Sequence, residues 1–184
     1  MRVNHWLSPM KRHCVAILVT LLGWFRSSDA FAFEEQWHVG GGLGVLRASP
    51  EPVGLGPAVN VYAAYGLSDM FDIKLDLAAS NHAFETAPET SERRSIFTAT
   101  TGVSYKLDVL EWIPYFGAHT GVIYSDLPED LGMGTRTWLV GAMIGLDYAP
   151  TPSFGIGVMN RWHLLLGGGS LVDLFLRAEY HWGI

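Results

Sequence analysis

The chain has 184 residues, of which 18 are acidic and 12 basic, so its formal net charge is −6. This acidic balance argues against a nucleic acid as partner, because phosphate binding requires a basic surface. Hydrophobic residues make up 49 % of the chain, and seven Trp, seven Tyr and nine Phe are dispersed through it. That dispersal suits alternating strands, and the length suits a single domain after export.

The amino-terminal residues predict a secretory signal peptide. Three basic residues precede an almost uninterrupted apolar run over 14–25. This run is shorter than the roughly 20 apolar residues that a membrane-spanning helix needs. It is followed by Ala30-Phe31-Ala32, in which Ala30 and Ala32 form the small-residue pattern of a signal cleavage site.

The chain therefore divides into a signal peptide helix over 1–32 and a mature domain over 33–184. Removing the signal takes away four basic residues and one acidic residue, so the mature net charge is −9. The mature domain contains no cysteine, which excludes disulfides and thiolate metal sites. It also has no apolar run of 18 residues, so no helix is expected to cross a membrane.

Eight segments of strand character follow one another along the mature chain. Each alternates large apolar residues with small or polar ones, the period expected of a strand with two different faces. Short turns are predicted at Ser68-Asp69 and around Pro150, and a polar loop is predicted over 81–93. The predicted strands cover residues 35–47, 57–67, 71–77, 94–107, 114–125, 135–148, 153–165 and 172–182.

The last segment, Val172 to Trp182, shows the alternation most clearly. One face is apolar and ends in Tyr180 and Trp182, whereas the other carries mostly charged residues. A water-soluble sheet would bury the apolar face, and a membrane barrel would turn it toward lipid. The pattern of this one strand permits both arrangements.

The polar faces of all eight segments, taken together, favour the membrane arrangement. Besides charges they hold mainly Gly, Ala, Ser and Thr, which suit the interior of a narrow closed barrel. The apolar faces carry aromatics near strand ends, as expected for the girdles of a transmembrane barrel. The fold class is therefore predicted as all-β, an eight-stranded antiparallel up-and-down transmembrane β-barrel. The predicted interface aromatics are Trp138, Tyr148, Trp162, Tyr180 and Trp182.

The mature chain resembles the small eight-stranded outer-membrane β-barrels of Gram-negative bacteria, such as the OmpA transmembrane domain, OmpX and OmpW. The resemblance lies in the strand and turn layout, the hairpin from Tyr65 to Asp69 and the carboxy-terminal strand. It implies residence in the outer membrane as a monomer, contact with membrane lipid, and insertion by the barrel-assembly machinery. The carboxy-terminal strand of the family usually ends on a Phe or Trp, whereas here Trp182 is followed by Gly183 and Ile184.

Charged residues on the polar faces are the first candidate site. Eight strands enclose a bore just wide enough for side chains, and unpaired charges there would be costly. These residues are interpreted as a structural plug of ion pairs, with a gated polar path or proton relay as the alternative. Arg161 is expected to reach Asp173 or Glu179 across the β-sheet. The predicted interior network consists of Asp72, Lys74, Asp76, Arg161, Asp173, Arg177 and Glu179.

Catalysis is a weaker hypothesis. Lipid A deacylases of this architecture carry a lipid-facing His and Ser on one strand, and neither His119 nor His163 reproduces that pattern. His82 and Glu85 are expected in a mobile loop, where a lone His–acid pair is weak evidence. No His, Asp and Glu have metal-ligand spacing, so neither a metal nor a cofactor is expected.

Acidic residues in the predicted external loops are the third candidate, as a site for divalent cations or a partner. The simpler interpretation is a solvated cell surface. The sequence thus favours a structural or surface-interaction role with little or no pore activity, and leaves open a lipid A-modifying enzyme or a narrow solute channel. The loop residues concerned are Glu85, Glu89, Glu92, Asp126, Glu129 and Asp130.

Overall fold

The computed structural model describes eight strands within residues 36–49, 54–87, 90–107, 111–125 and 136–183. The predicted signal peptide, with Ala30 and Ala32, lies outside these residues. No helix in the described ranges is long and apolar enough to cross a membrane. The strands are β1 Trp37–Ser49, β2 Leu55–Gly66, β3 Phe71–Ala87, β4 Thr90–Lys106, β5 Trp112–Ser125, β6 Arg136–Thr151, β7 Phe154–Leu165 and β8 Ser170–Trp182.

Every strand pairs antiparallel with its neighbour in sequence, and β1 pairs with β8 to close the barrel. The closing pair runs from Trp37 opposite Trp182 to Ser49 opposite Ser170. Closure satisfies the backbone groups that an open sheet edge would expose to hydrocarbon. The predicted eight-stranded antiparallel up-and-down barrel is therefore confirmed.

The two ends of the barrel differ in their connections. One end, called the turn end, holds the β2–β3, β4–β5 and β6–β7 connections together with the start of β1 and the end of β8. The opposite end, called the loop end, holds the other four connections, including the longest one over residues 126–135. In outer-membrane barrels short turns face the periplasm and longer loops face outward. The layout places the turn end on the periplasmic side.

The polar segment over 81–93 is strand, so its prediction as a loop is wrong. β3 and β4 remain paired as far as Ala87 opposite Thr90. The pairing of β3 with β2 stops at Ser80, and that of β4 with β5 stops at Ile96. Residues 81–87 and 90–95 thus extend past the barrel as a two-stranded ribbon, called the β3–β4 extension. Strands beyond the barrel wall need no apolar face toward lipid. The alternation of apolar and polar residues, by which the other strands are identified, is therefore missing from this segment.

The alternation on β8 shows which face is outside. Leu174, Leu176 and Tyr180 are 45 %, 69 % and 54 % exposed, whereas Asp173 and Arg177 are 1 % and 6 % exposed. A water-soluble protein buries its large apolar side chains and leaves its charges in solvent. The barrel does the opposite on all eight strands, so its exterior suits a lipid environment.

The predicted interface aromatics lie near the strand ends on the outer face. Trp138 and Trp162 are exposed toward the loop end, and Tyr148, Tyr180 and Trp182 lie toward the turn end. The ring centroids of Tyr180 and Trp182 are 6.1 Å apart in a stacked pair. Aromatic rings at both levels form the two girdles that anchor a barrel at the membrane interfaces.

Candidate functional site

The bore is filled by two ionic clusters, each organised around one arginine. The Arg161 cluster consists of Asn60, Asp76, Arg161, His163 and Asp173. The Arg177 cluster consists of Tyr62, Asp147, Arg177 and Glu179. All of these side chains are buried inside the barrel.

Arg161 links opposite walls of the barrel. Its Nε and Nη2 donate to Asp173 on the adjacent β8, at 2.9 Å to Oδ1 and 2.8 Å to Oδ2. Its Nη1 donates to Asp76 Oδ1 on β3 at 2.5 Å. Since β3 and β7 are four strands apart in an eight-stranded ring, this ion pair crosses the whole bore. Such a buried pair requires both partners, because an uncompensated charge is costly in the interior.

Hydrogen bonds extend the Arg161 cluster in both directions. His163 Nε2 lies 3.0 Å from Asp173 Oδ2, and His163 Nδ1 lies 2.9 Å from His119 Nε2. On the other side, Asn60 Nδ2 donates to Asp76 Oδ2 at 2.8 Å. The result is a chain of polar contacts from β5 to β2 that links five strands, β5, β7, β8, β3 and β2.

Gly141 leaves the space in which His119 and His163 meet. It pairs with His119 on one side and His163 on the other. A Cβ at this position would overlap with the His119 ring and with the Trp162 carbonyl oxygen. The glycine is therefore retained because the imidazoles approach the backbone closely, and not because of its φ angle.

Replacing Gly141 by alanine is expected to lower the free energy of unfolding by about 1–3 kcal/mol, as overpacking of a filled core does. Urea unfolding of the refolded protein, followed by tryptophan fluorescence, measures the change. Gly155→Ala is the matched control, because a Cβ at that interior glycine would meet no atom closer than 3.3 Å. Equal losses in the two variants would contradict the assigned role of Gly141.

The Arg177 cluster joins β8 to β6 and β2. Arg177 donates to Asp147 through Nε at 2.9 Å and through Nη2 at 2.5 Å. Its Nη2 also contacts Glu179 Oε2 at 2.9 Å, and Tyr62 Oη donates to the same oxygen at 2.7 Å. Two carboxylates thus surround one guanidinium, and the neighbouring phenol completes the hydrogen bonding of Glu179.

Lys74 is buried beside the Arg177 cluster without an ion pair in the described part of the chain. Its Nζ lies 4.0 Å from the centroid of the Tyr62 ring and 3.6 Å from Met159 Sδ. A cation over an aromatic face is attracted by the ring quadrupole, most strongly where water is excluded. Lys74 is therefore held by an aromatic ring and a thioether sulfur, and not by a carboxylate.

Apolar side chains separate the two clusters and fill much of the bore toward the loop end. Phe175 pairs with Met159 between the levels of Arg161 and Arg177. Closer to the loop end, apolar side chains from six strands face inward and form a layer that is at most 5 % exposed. The layer is interrupted on one side, where Ser80 and His82 on β3 and Thr98 on β4 are also buried. This apolar layer consists of Leu46, Ile96, Ile123, Leu139, Leu165 and Leu171.

All seven residues of the predicted interior network are buried inside the barrel, but they form three groups and not one network. Asp76, Arg161 and Asp173 belong to the first group, and Arg177, Glu179 and Lys74 to the second. Asp72 lies at the turn end, where its Oδ2 is 2.5 Å from Lys106 Nζ. The predicted network omits Asp147, Tyr62 and His163, although each lies on a polar face in the sequence. Their partners lie up to two strands away, which alternation along one strand does not reveal.

A cavity of about 240 Å³ opens at the turn end, below the Arg177 cluster. Its lining includes His38, Glu179 and His181, whose potential ligand atoms all lie within 4.8 Å of one another. The expectation that no metal is bound stays a prediction, but the fold brings together three potential ligands that have no metal-ligand spacing in the sequence. Sequence spacing could not reveal the group, because β1 and β8 meet only when the barrel closes.

The histidines considered for catalysis occupy structural positions. His82 is buried in β3, and the expectation of a mobile loop is wrong for it. Its Nδ1 lies 2.9 Å from the Gly54 carbonyl oxygen and its Nε2 lies 3.0 Å from Ser80 Oγ. His119 and His163 face the bore and not the lipid. Of the acidic residues predicted in external loops, Glu85 and Glu92 lie on the paired strands β3 and β4, and Glu89, Asp126, Glu129 and Asp130 lie outside the described residues.

Asn160 is a polar residue on the outer face that the sequence reading did not single out. It lies on β7 between the exposed Val158 and Trp162. Its Nδ2 donates to the carbonyl oxygen of Asp173 on β8 at 3.0 Å. This contact satisfies an amide donor that lipid could not, and it ties the two strands together.

The closed antiparallel barrel, its apolar exterior, its aromatic girdles and its ion-paired interior together define a small transmembrane β-barrel. No protein-family model matches the chain, and no curated protein matches it. Solved structures do match over nearly their whole length, and they show the fold to be that of small eight-stranded outer-membrane barrels. This agrees with the predicted localisation in the outer membrane.

Three of these structures illustrate the likeness. Neisserial surface protein A is 18 % identical, with a TM-score of 0.63 over 80 % of this chain and 99 % of its own. The outer membrane protein OprG from Pseudomonas aeruginosa is 11 % identical, with a TM-score of 0.63 over 83 % and 98 %. Ail, the attachment invasion locus protein of Yersinia pestis, is 16 % identical, with a TM-score of 0.55 over 81 % and 99 %.

Proposed function

We propose that this protein is a monomeric, non-conducting outer-membrane barrel that presents the β3–β4 extension for contact with a partner at the cell surface. In this role the barrel is an anchor, and its interior side chains stabilise it without catalysis. Membrane lipid and, during insertion, the barrel-assembly machinery are its other expected partners.

The filled bore is the observation that carries this proposal. Arg161 crosses the bore to Asp76, Phe175 and Met159 lie between the two clusters, and the apolar layer fills much of the bore toward the loop end. A solute would have to separate buried ion pairs and displace packed apolar side chains, and both steps are costly. The bore therefore supports a structural role better than a narrow channel.

The β3–β4 extension supports the surface role. Beyond His82, which contacts Gly54 just before β2, the described strands of the extension pair with each other and with no third described strand. Open strand edges can accept a further strand from a partner. Two of the similar structures carry names that refer to surface exposure or attachment, which is consistent with this role.

Electrical recording in planar bilayers tests the non-conducting role. The refolded mature protein is expected to give no discrete conductance steps, whereas a general porin added to the same bilayer as positive control gives them. Reproducible steps from the purified protein would show that the bore opens, and would favour the channel. Deacylation of purified lipid A by the same preparation would favour the enzyme instead.

Shortening the β3–β4 extension tests the surface role. Residues 84–92 are replaced by Asn-Gly, which connects the paired residues Ala83 and Arg93 by a two-residue hairpin turn. The barrel is expected to keep its heat-modifiable gel migration, while cells carrying it lose at least about tenfold in attachment to surfaces coated with extracellular-matrix protein, because the open edges are gone.

The matched control replaces Ser68-Asp69 by Asn-Gly at the turn end, on the other side of the membrane. This variant should attach as the unmodified protein does. Full attachment by the shortened variant, or no difference between cells with and without the unmodified protein, would contradict the surface role.

A further inference from the structure

Closure of the barrel brings three potential metal ligands together at its turn end. His38 on β1 lies directly opposite His181 on β8. Glu179 precedes His181 by two residues, so both side chains point into the bore. The three residues are 5 %, 7 % and 5 % exposed, in the order His38, His181 and Glu179. Two imidazoles and one carboxylate thus converge on a single buried point.

His38 carries a ring nitrogen that lacks a hydrogen-bond partner within the described residues. His38 Nδ1 is fully buried and unpartnered, whereas buried polar atoms in native proteins almost always have partners. His181 Nε2 has Glu179 Oε1 as its partner, 2.8 Å away. A bound cation would give His38 Nδ1 a partner and would be shared with the His181 and Glu179 pair.

The surroundings of Glu179 orient it for ligation. Tyr62 Oη and Arg177 Nη2 both donate to Oε2, which leaves Oε1 directed toward the imidazoles. Hydrogen bonds of this kind to the non-ligating atom fix a ligand's position and are a regular feature of metal sites. The carboxylate is thus held in place before any ion arrives.

The charges around the group also permit a cation. Two of the nearby positive side chains are already paired, Arg177 with Asp147 and Lys106 with Asp72, and a third, Lys74, lies over the Tyr62 ring. Asp69 and Glu111 contribute further negative charge to the lining of the cavity. Because the cavity opens at the turn end, an ion and a water ligand can enter from the periplasmic side.

We propose that His38, Glu179 and His181 bind one divalent transition-metal ion of the zinc class at the periplasmic mouth of the barrel. Imidazole ligands select zinc, copper or nickel over magnesium and calcium, which prefer oxygen. Three protein ligands leave a fourth position to water or an exchangeable ligand, as in open zinc sites. The site is independent of the proposed surface role, since it lies at the opposite end of the barrel.

Equilibrium dialysis with Zn²⁺ tests the proposal on the untagged mature protein, refolded in detergent and stripped with a chelator. One Zn²⁺ per chain is expected to bind, and an excess of Mg²⁺ should not displace it. Co²⁺ in place of Zn²⁺ should give the strong visible absorption of a low-coordinate ion with nitrogen ligands. Absence of saturable Zn²⁺ binding would overturn the proposal.

Substitution assigns the ligands. His38→Gln and His181→Gln are each expected to weaken Zn²⁺ binding at least about tenfold and to abolish the Co²⁺ spectrum. His82→Gln, a buried histidine at the loop end, is the matched control and should leave both unchanged. Heat-modifiable migration identifies any variant that fails to fold. If a histidine variant fails, Zn²⁺ binding is measured on Glu179→Gln in its place. Unchanged affinity in the folded ligand variants would place the ion elsewhere and overturn the site.

Discussion

Replacing Arg161 by leucine is expected to lower the free energy of unfolding by about 3–5 kcal/mol, the usual cost of removing one partner of a buried ion pair. The substitution leaves Asp76 and Asp173 facing each other across the bore without the guanidinium that joins them. It also removes the link between β3 and β7. Urea unfolding in lipid vesicles or detergent, followed by tryptophan fluorescence and heat-modifiable migration, measures the loss.

Two variants separate the buried charge from other effects of removing an arginine. Arg136→Leu takes an exposed guanidinium from the outer surface, where it lies 5.8 Å from the Tyr124 ring, and should cost no more than about 1 kcal/mol. The triple variant Asp76→Asn, Arg161→Leu and Asp173→Asn removes the uncompensated charges and should recover part of the loss. A loss in Arg161→Leu no larger than in Arg136→Leu would contradict the cross-bore pair.

Asp76→Leu extends the same comparison to the other side of the bore. It should destabilise the barrel less than Arg161→Leu, because the guanidinium keeps its two bonds to Asp173. The side chain of Asn60 would lose its acceptor in the same step. The order of these effects depends on which groups remain unpaired, and not on the number of bonds removed.

The faces of the strands could be predicted from the sequence because each side chain's direction follows from a period of two. On β8 this places Asp173, Arg177 and Glu179 on one shared face from the alternation alone. To decide whether the apolar faces lie against lipid or in a water-soluble core, the small residues of the polar faces were needed as well. Those residues, such as Gly141, allow side chains like His119 and His163 to meet in a narrow bore.

Contacts across the bore could not be predicted in the same way. Asp147 meets Arg177 and Tyr62 meets Glu179 because the barrel's curvature brings together strands that are not neighbours. His38 meets His181 because the first and last strands close the sheet. These contacts depend on register and on the stagger of the closed barrel, which no single strand encodes. Alternation also failed for the β3–β4 extension, whose sequence does not alternate apolar with polar residues.

A charge placed on the apolar exterior is expected to destabilise the barrel strongly. Leu176 lies at the middle of β8 on the outer face and is 69 % exposed. In a water-soluble protein, arginine at so exposed a position would cost almost nothing. In a bilayer the guanidinium at the midplane is expected to lower the free energy of unfolding by about 2–4 kcal/mol. Leu176→Arg, measured by urea unfolding in phospholipid vesicles, therefore tests the direction of the whole outer face.

Leu166→Arg is the matched control, since Leu166 is also 69 % exposed but lies in the β7–β8 turn at the loop end. At the membrane interface a charge costs only about 0–1 kcal/mol. The two substitutions are identical in chemistry and in exposure. A difference between their losses in free energy of unfolding can therefore arise only from the depth of the residue in the bilayer, or from its position in a strand or in a turn. Repeating the pair in detergent separates these causes, because a micelle adapts around the arginine and should reduce the difference. Equal losses in vesicles would mean that Leu176 does not face hydrocarbon.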